Sequence, residues 1–160
     1  MSASSKVAST AADRTQWAAI LRETAVEVFS TMVGVSVTLP DTTQPPPSGI
    51  TAMVGIAGSL SATIGLRCSL QSATSMASHM LEVSLEEAGA QKSDALGEIC
   101  NIVAGYFKAK IGCGESCVLS VPTVVVGTNY RICSPREDLR IKVPLLFQDE
   151  SVLISLDIRR

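Results

Sequence analysis

A chain of 160 residues with 46% hydrophobic and 18% charged side chains has the length of one domain. It is excluded from the disordered class, which is poor in apolar residues and rich in charge. Thirteen Lys and Arg against fifteen Asp and Glu leave a net charge of −2, and aromatic residues make up only 4%. A nucleic-acid partner is therefore not expected, since it calls for a cationic stripe or a set of stacking rings.

Residues 1–12 are Ser/Ala/Thr-rich and lack the apolar block of a signal peptide; they are expected to form a disordered tail ahead of one domain over 13–160. No run approaches the ~18 apolar residues of a membrane span, so no membrane association is expected. A cytoplasmic location and five free thiols follow.

Asp13-Arg-Thr-Gln16 predicts a helix capped at Asp13, with Trp17, Ile20, Leu21, Val28 and Met32 at helical spacing and Gly34 as its stop. Val35–Leu39 reads as a short strand ending at Pro40. The Pro45-Pro46-Pro47 stretch must be loop. Ile50–Cys68 reads as two strands turning near Gly58-Ser59. Leu70–Val83 is a helix whose buried side is expected to hold Leu70, Met76, Met80 and Leu81. Ser84-Leu-Glu-Glu87 is a second capping box, opening a long helix to about Ile111 with Gly89 as its weak point.

Beyond it, Cys117–Val126 reads as a strand, Tyr130–Cys133 as a short one, and Leu139–Phe147 with Ser151–Ile158 as a hairpin. Both arms of the hairpin alternate apolar and polar residues. The order suggests two related halves, in an α+β single domain: an antiparallel or mixed sheet with helices packed on one face.

The long helix carries the most informative cluster. With Asp94 at zero, Glu98 falls near +40° and Asn101 near −20° on a wheel of about 100° per residue. Leu96, Ile99, Cys100, Val103, Tyr106 and Phe107 occupy the opposite arc. The polar triplet thus points away from the core. No His or Cys shares its face, so it offers no activated nucleophile. Three hard ligands along one exposed helix seldom cage a metal. An amide donates and accepts at once, so Asn101 can hold a water in a set orientation, useful where positioning outweighs a strong base, as in phosphoryl transfer to water. On the residues alone, a merely solvated helix face stands beside that reading. Asn is a poor helix former, however, and a bland face is better served by Glu, Lys or Gln.

Asp94-x3-Glu98-x2-Asn101, followed by Ala104-Gly105 and by Pro122-Thr-Val-Val-Val-Gly127, resembles the CheC/CheX/FliY family of chemotaxis phosphatases, most nearly its CheX branch, over nearly the whole chain from Asp13. The resemblance implies a protein aspartyl-phosphate phosphatase acting on a phosphorylated CheY-type response regulator. It implies that Asn101 positions the attacking water and that Glu98 docks to the regulator's active-site lysine. Asp94, Gly105 and Pro122 are implied as further partner-binding positions. The resemblance also implies a homodimer with no cofactor of its own, the regulator supplying Mg²⁺. A non-catalytic binding module for the regulator, or a flagellar switch component, is the alternative.

Glu23-x3-Glu27-x2-Ser30 on the first helix repeats the spacing with a hydroxyl in place of the amide, and is expected to be inactive. Cys113-x3-Cys117 is half of a zinc site at best, since a structural zinc takes four ligands; small buried hydrophobes are expected there. His79, the sole histidine, has no nucleophile or acid at a recognisable spacing and is expected at the surface or simply packed. No phosphate-cradling glycine loop leads from a strand into a helix, so no nucleotide site is expected.

Overall fold

The computed structural model describes residues 11–133 and 139–159; the expected 1–12 tail falls outside them apart from Ala11 and Ala12. Helix α1 (Ala11–Val28) runs into a π-helical turn, Phe29–Val33. Strands β1 (Ile50–Gly58) and β2 (Ala62–Cys68) follow, then α2 (Leu70–Leu81), the single turn α3 (Leu85–Ala88) and α4 (Lys92–Lys110). Strands β3 (Cys117–Leu119), β4 (Thr123–Val126), β5 (Leu139–Phe147) and β6 (Glu150–Ile158) complete the order. The chain is an α+β single domain.

All strand pairs are antiparallel, in the order β3-β1-β2-β6-β5, with β4 also on β1. Alternation decides which face is buried. Ile50, Ala52, Val54 and Ile56 of β1 join Val152, Ile154, Leu156 and Ile158 of β6 in the core, beneath α1 and α4. Trp17 meets Phe107 edge-on at 6.0 Å, and Phe29 meets Phe147 at 5.9 Å, so these rings tie α1 to α4 and the π-turn to β5. Among the described residues no helix is long and apolar enough to cross a membrane.

Several local expectations are corrected. Asp13 lies inside the first described turn of α1 rather than capping it, where its charge suits the helix dipole. The π-turn advances the helical face by a residue, burying Phe29 and Val33 and leaving Met32 37% exposed. On α2, Met76 is buried with Ser72, Ala73 and Ala77, whereas Leu70 and Leu81 at its ends are exposed. The long helix is interrupted at Gly89–Gln91 by a 3₁₀ turn, close to the weak point expected there, and Ser84 accepts the Glu87 N–H as a capping box requires.

Val35–Leu39 makes a single bridge, Thr38 to Leu146, instead of a strand. The ladder cannot lengthen: its next rungs would put Pro40 against Pro144, neither with an N–H, and Ser36 against Gln148, a turn residue at φ 48°. The strands of the two suspected halves therefore do not repeat one for one. Tyr130–Cys133 is irregular. Its Tyr130 lies over the open face of the sheet, with its hydroxyl 2.5 Å from Thr51 Oγ1 and the Arg67 guanidinium 4.9 Å from its ring centroid.

Candidate functional site

The expected strand over Cys117–Val126 is two strands with a β-bulge between them. Leu119 pairs with Ile56 and Thr123 with Met53, so Ser120, Val121 and Pro122 oppose only Val54 and Gly55. One extra residue in one strand defines a bulge. Pro122 cannot donate to a ladder, and Ser120 closes the gap: its N–H donates to the Gly55 carbonyl at 2.9 Å and its hydroxyl accepts the Gly55 N–H at 2.8 Å. The two residues that follow are pushed outward, and Val121 is 82% exposed.

This bulge abuts α4. A Cβ built on Gly97 would lie 3.2 Å from Pro122 Cβ and 3.6 Å from Val124 Cγ2. A glycine inside a helix costs about 1 kcal/mol relative to alanine; here it lets the bulge lie flush against the helix. About two turns along the helix, the position of a Gly105 Cβ would be 3.9 Å from Leu119 Cδ1. At the far end, Lys108 Nζ donates to the Gly114 carbonyl at 2.7 Å and the Cys117 carbonyl at 2.8 Å. Strands β3 and β4 are thus fastened along one flank of α4.

The polar triplet stands beside that flank. Asp94 and Glu98 are exposed, and Asn101 is half-buried one turn below, with Gly105 half-buried next in line. Neither carboxylate makes an ion pair with a described residue. Leu96, Ile99, Cys100, Val103 and Phe107 are all buried on the opposite side, as the wheel requires. Tyr106 is the exception. It lies at the border of the apolar arc and is 43% exposed.

The site is a ridge rather than a cleft. Two cavities lie away from it: one of about 370 Å³ on the open sheet face by Arg67, Lys142 and Asp157, and an open groove of about 460 Å³ between α1 and Val37–Leu39. A ridge carrying a carboxylate and a carboxamide, flanked by exposed Val121 and Pro122, suits insertion into a partner's concavity. Gly97, Ser120 and Val121 were not among the residues the sequence pointed to. The signal for Gly97 was present: a glycine between Asp94 and Glu98 at a helix position that needs a packing reason.

The remaining expectations resolve simply. Glu23 and Glu27 are exposed on α1 and Ser30 in the π-turn that follows it, and Lys110 Nζ of α4 donates to Glu27 Oε2 at 2.7 Å. His79 is exposed, with Nδ1 2.8 Å from the Ser75 carbonyl. Cys68, Cys100, Cys113 and Cys117 are buried and Cys133 is exposed. Among the described residues no group of three or more His, Cys, Asp or Glu is placed to hold a metal.

The model of the family described as chemotaxis phosphatase CheX matches residues 50–155, which include the α4 ridge and the bulge. No curated protein sequence matches the chain. Among solved structures, a chemotaxis protein of Desulfovibrio vulgaris Hildenborough is 20% identical with a TM-score of 0.78, over 90% of this chain and 97% of that one. CheX of Vibrio vulnificus is 21% identical with a TM-score of 0.74, over 91% and 98%. The CheX–CheY–BeF3–Mg²⁺ complex of Borrelia burgdorferi supplies a chain 21% identical with a TM-score of 0.73, over 90% and 98%. These likenesses show a shared fold.

Proposed function

The chain belongs to the CheX family of chemotaxis phosphatases, and from that premise we propose that it hydrolyses the aspartyl phosphate of a CheY-type response regulator. Asn101 positions the attacking water, and Glu98 docks to the regulator's active-site lysine. The observation that carries this reading is the α4 ridge, where a carboxylate without an ion-pair partner among the described residues and a half-buried carboxamide are presented one turn apart. A protein of the same fold forms the Borrelia CheX–CheY complex.

The chemistry asks little of this chain. An acyl phosphate is a reactive mixed anhydride; water attacks phosphorus in line, the bond to the aspartyl oxygen breaks, and phosphate leaves with the carboxylate restored. The carboxamide oxygen of Asn101 accepts one water hydrogen, which aims a lone pair at phosphorus and removes orientational freedom from the barrier. Half-burial of Asn101 limits the positions its amide can take. Asp94, Gly105 and Pro122 complete the docking surface, with Gly97 keeping Pro122 close to the helix. No metal of its own enters the scheme: Mg²⁺ comes with the regulator, in keeping with the Mg²⁺ of the Borrelia complex. A cytoplasmic location and a homodimer belong to the same proposal, the second read out by light scattering in solution.

The test follows loss of acyl phosphate from a phosphorylated CheY-type regulator encoded in the same genome, with wild type beside Asn101→Ala. Accelerated loss with wild type alone is the expected result. Binding without acceleration would favour the non-catalytic module. Absence of both, across the regulators of that genome, would overturn the proposal.

A further inference from the structure

The face of the sheet turned away from the helices is hollowed. In register across it, Lys142 of β5 stands opposite Ser155 of β6, Ser155 opposite Gly65 of β2, and Gly65 opposite Met53 of β1. Strand alternation puts Thr63, Arg67, Leu153 and Asp157 on the same side as this row, and a cavity of about 370 Å³ opens over it. Gly65 keeps the floor low. The Ser155 hydroxyl leans over it, 2.8 Å from where a Cβ would be, and a glycine inside a strand marks a place of close approach.

The walls are cationic. Arg67, Arg140, Lys142 and Arg159 line the cavity against a single described carboxylate, Asp157, in a chain whose net charge is −2. Asp157 is held by Arg140, whose Nε and Nη2 donate to its two oxygens at 2.5 and 3.2 Å. Arg159 Nη2 donates to Thr63 Oγ1 at 3.0 Å, a neutral acceptor that leaves the charge uncompensated. Arg67 and Lys142 make no ion pair with a described residue. Arg67 is nevertheless fixed in place: its guanidinium lies 4.9 Å from the Tyr130 ring centroid, and the Tyr130 hydroxyl is anchored on Thr51 Oγ1. Its Nε is buried with no hydrogen-bond partner among the described residues. A buried donor left unmade costs free energy that an incoming acceptor would recover. Met53 and Leu153 add apolar surface to the same cavity.

We propose that this cavity binds a small phosphate monoester, with its dianionic head among Arg67, Lys142 and Arg159 and its organic body against Met53 and Leu153. A dianion answers three uncompensated cations better than a single carboxylate does, and a planar guanidinium can take two oxygens at once. The volume lies in the range of small-ligand sites. A guanidinium already fixed on an aromatic ring loses little freedom when the ligand arrives. The cavity and the α4 ridge lie on opposite faces of the sheet, so this site is independent of the phosphatase reading and either can fail alone.

Phenyl phosphate is titrated into the full-length protein by calorimetry, beside inorganic phosphate and phenol. The expected result is saturable binding of phenyl phosphate with a Kd below about 1 mM, weaker binding of inorganic phosphate and none of phenol. Arg67→Met should weaken it by about tenfold or more, the scale of a lost hydrogen bond to a charged group. Because Arg67 also packs on Tyr130, exposed Lys142→Gln is the second variant, expected to weaken binding at an unchanged melting temperature. Lys110→Ala, in a surface pair with Glu27 on the helical side, should bind as wild type. Absence of saturable binding would overturn the proposal, as would phenol binding as tightly as phenyl phosphate, or Lys110→Ala losing as much as Lys142→Gln. Light scattering on the same samples reads the remaining rival. A dimer that dissociates in Lys142→Glu, with no phenyl phosphate bound to wild type, would make this face a contact between copies and overturn the site.

Discussion

Helices α1 and α4 carry the same acidic spacing and present it differently. On α4, Glu98 has no ion-pair partner among the described residues and Asn101 follows it, beside a bulge that brings Val121 and Pro122 alongside. On α1, Glu27 is held by Lys110 from α4 itself, and Ser30 lies in the π-turn with the Val37–Leu39 segment across an open groove. A spacing of acidic residues is therefore not a site. The neighbours decide whether its carboxylate is offered outward or engaged at home, and whether an amide or a shorter hydroxyl stands next to it.

The comparison breaks most visibly at the amide. Asn101→Ala should lower regulator dephosphorylation by about 100-fold or more, the scale of losing orientation at a reacting atom. Its unfolding free energy should shift by less than about 0.5 kcal/mol, as for a substitution outside the packed core. A variant that keeps turnover removes the proposed role. Next in size is Gly97→Leu, which sets a side chain where Pro122 already lies 3.2 Å from the Cβ position. Overpacking of this kind costs about 1–3 kcal/mol, seen as a lower urea midpoint, and turnover should fall with Asn101 intact.

Glu98→Gln should weaken regulator binding about tenfold, equivalent to roughly 1.4 kcal/mol. The gap between wild type and variant should narrow as salt is added, because an exposed charge contact is screened; a gap unchanged by salt contradicts the docking role. Smallest is the α1 face. Lys110→Ala breaks a surface pair worth about 0.5 kcal/mol, and thermal melts should barely move. Ser30→Asn placed in the Asn101→Ala background should restore no turnover. Recovered turnover would reduce the difference between the two helices to one side chain.

Much of the fold was legible locally. The alternation of Ile141, Val143, Leu145 and Phe147 against Val152, Ile154, Leu156 and Ile158 marks a half-buried hairpin, and that hairpin forms in the matching register. The α4 triplet was legible for the same reason, since a helix wheel depends only on near neighbours. What escaped depends on distant chain. The bulge at Ser120–Pro122 exists because three residues meet two of β1, a count that no inspection of 117–126 alone contains. The π-turn that trades Met32 for Val33 packs on α2 and sets Phe29 against Phe147 of β5, both distant in the chain. Tyr130 leaves the sheet for contacts with Thr51 and Arg67, 79 and 63 positions back in the sequence. Tyr106 fell on the wrong side because a wheel places a border residue without knowing what covers it.

Pro144 has a consequence for assembly. Leu146 and Thr38 exchange both their backbone bonds, at 2.8 and 3.0 Å, so the backbone of Leu146 points away from β6. By the two-residue repeat of a strand, Pro144 and Lys142 point the same way. Leu146 is taken and Pro144 has no N–H, so between Lys142 and Phe147 only Lys142 offers a complete donor and acceptor outward, with a charged side chain. Lysine and proline at a sheet border are a means of refusing stray strands. A second copy seeking the Lys142–Phe147 stretch of this border meets almost no ladder to extend.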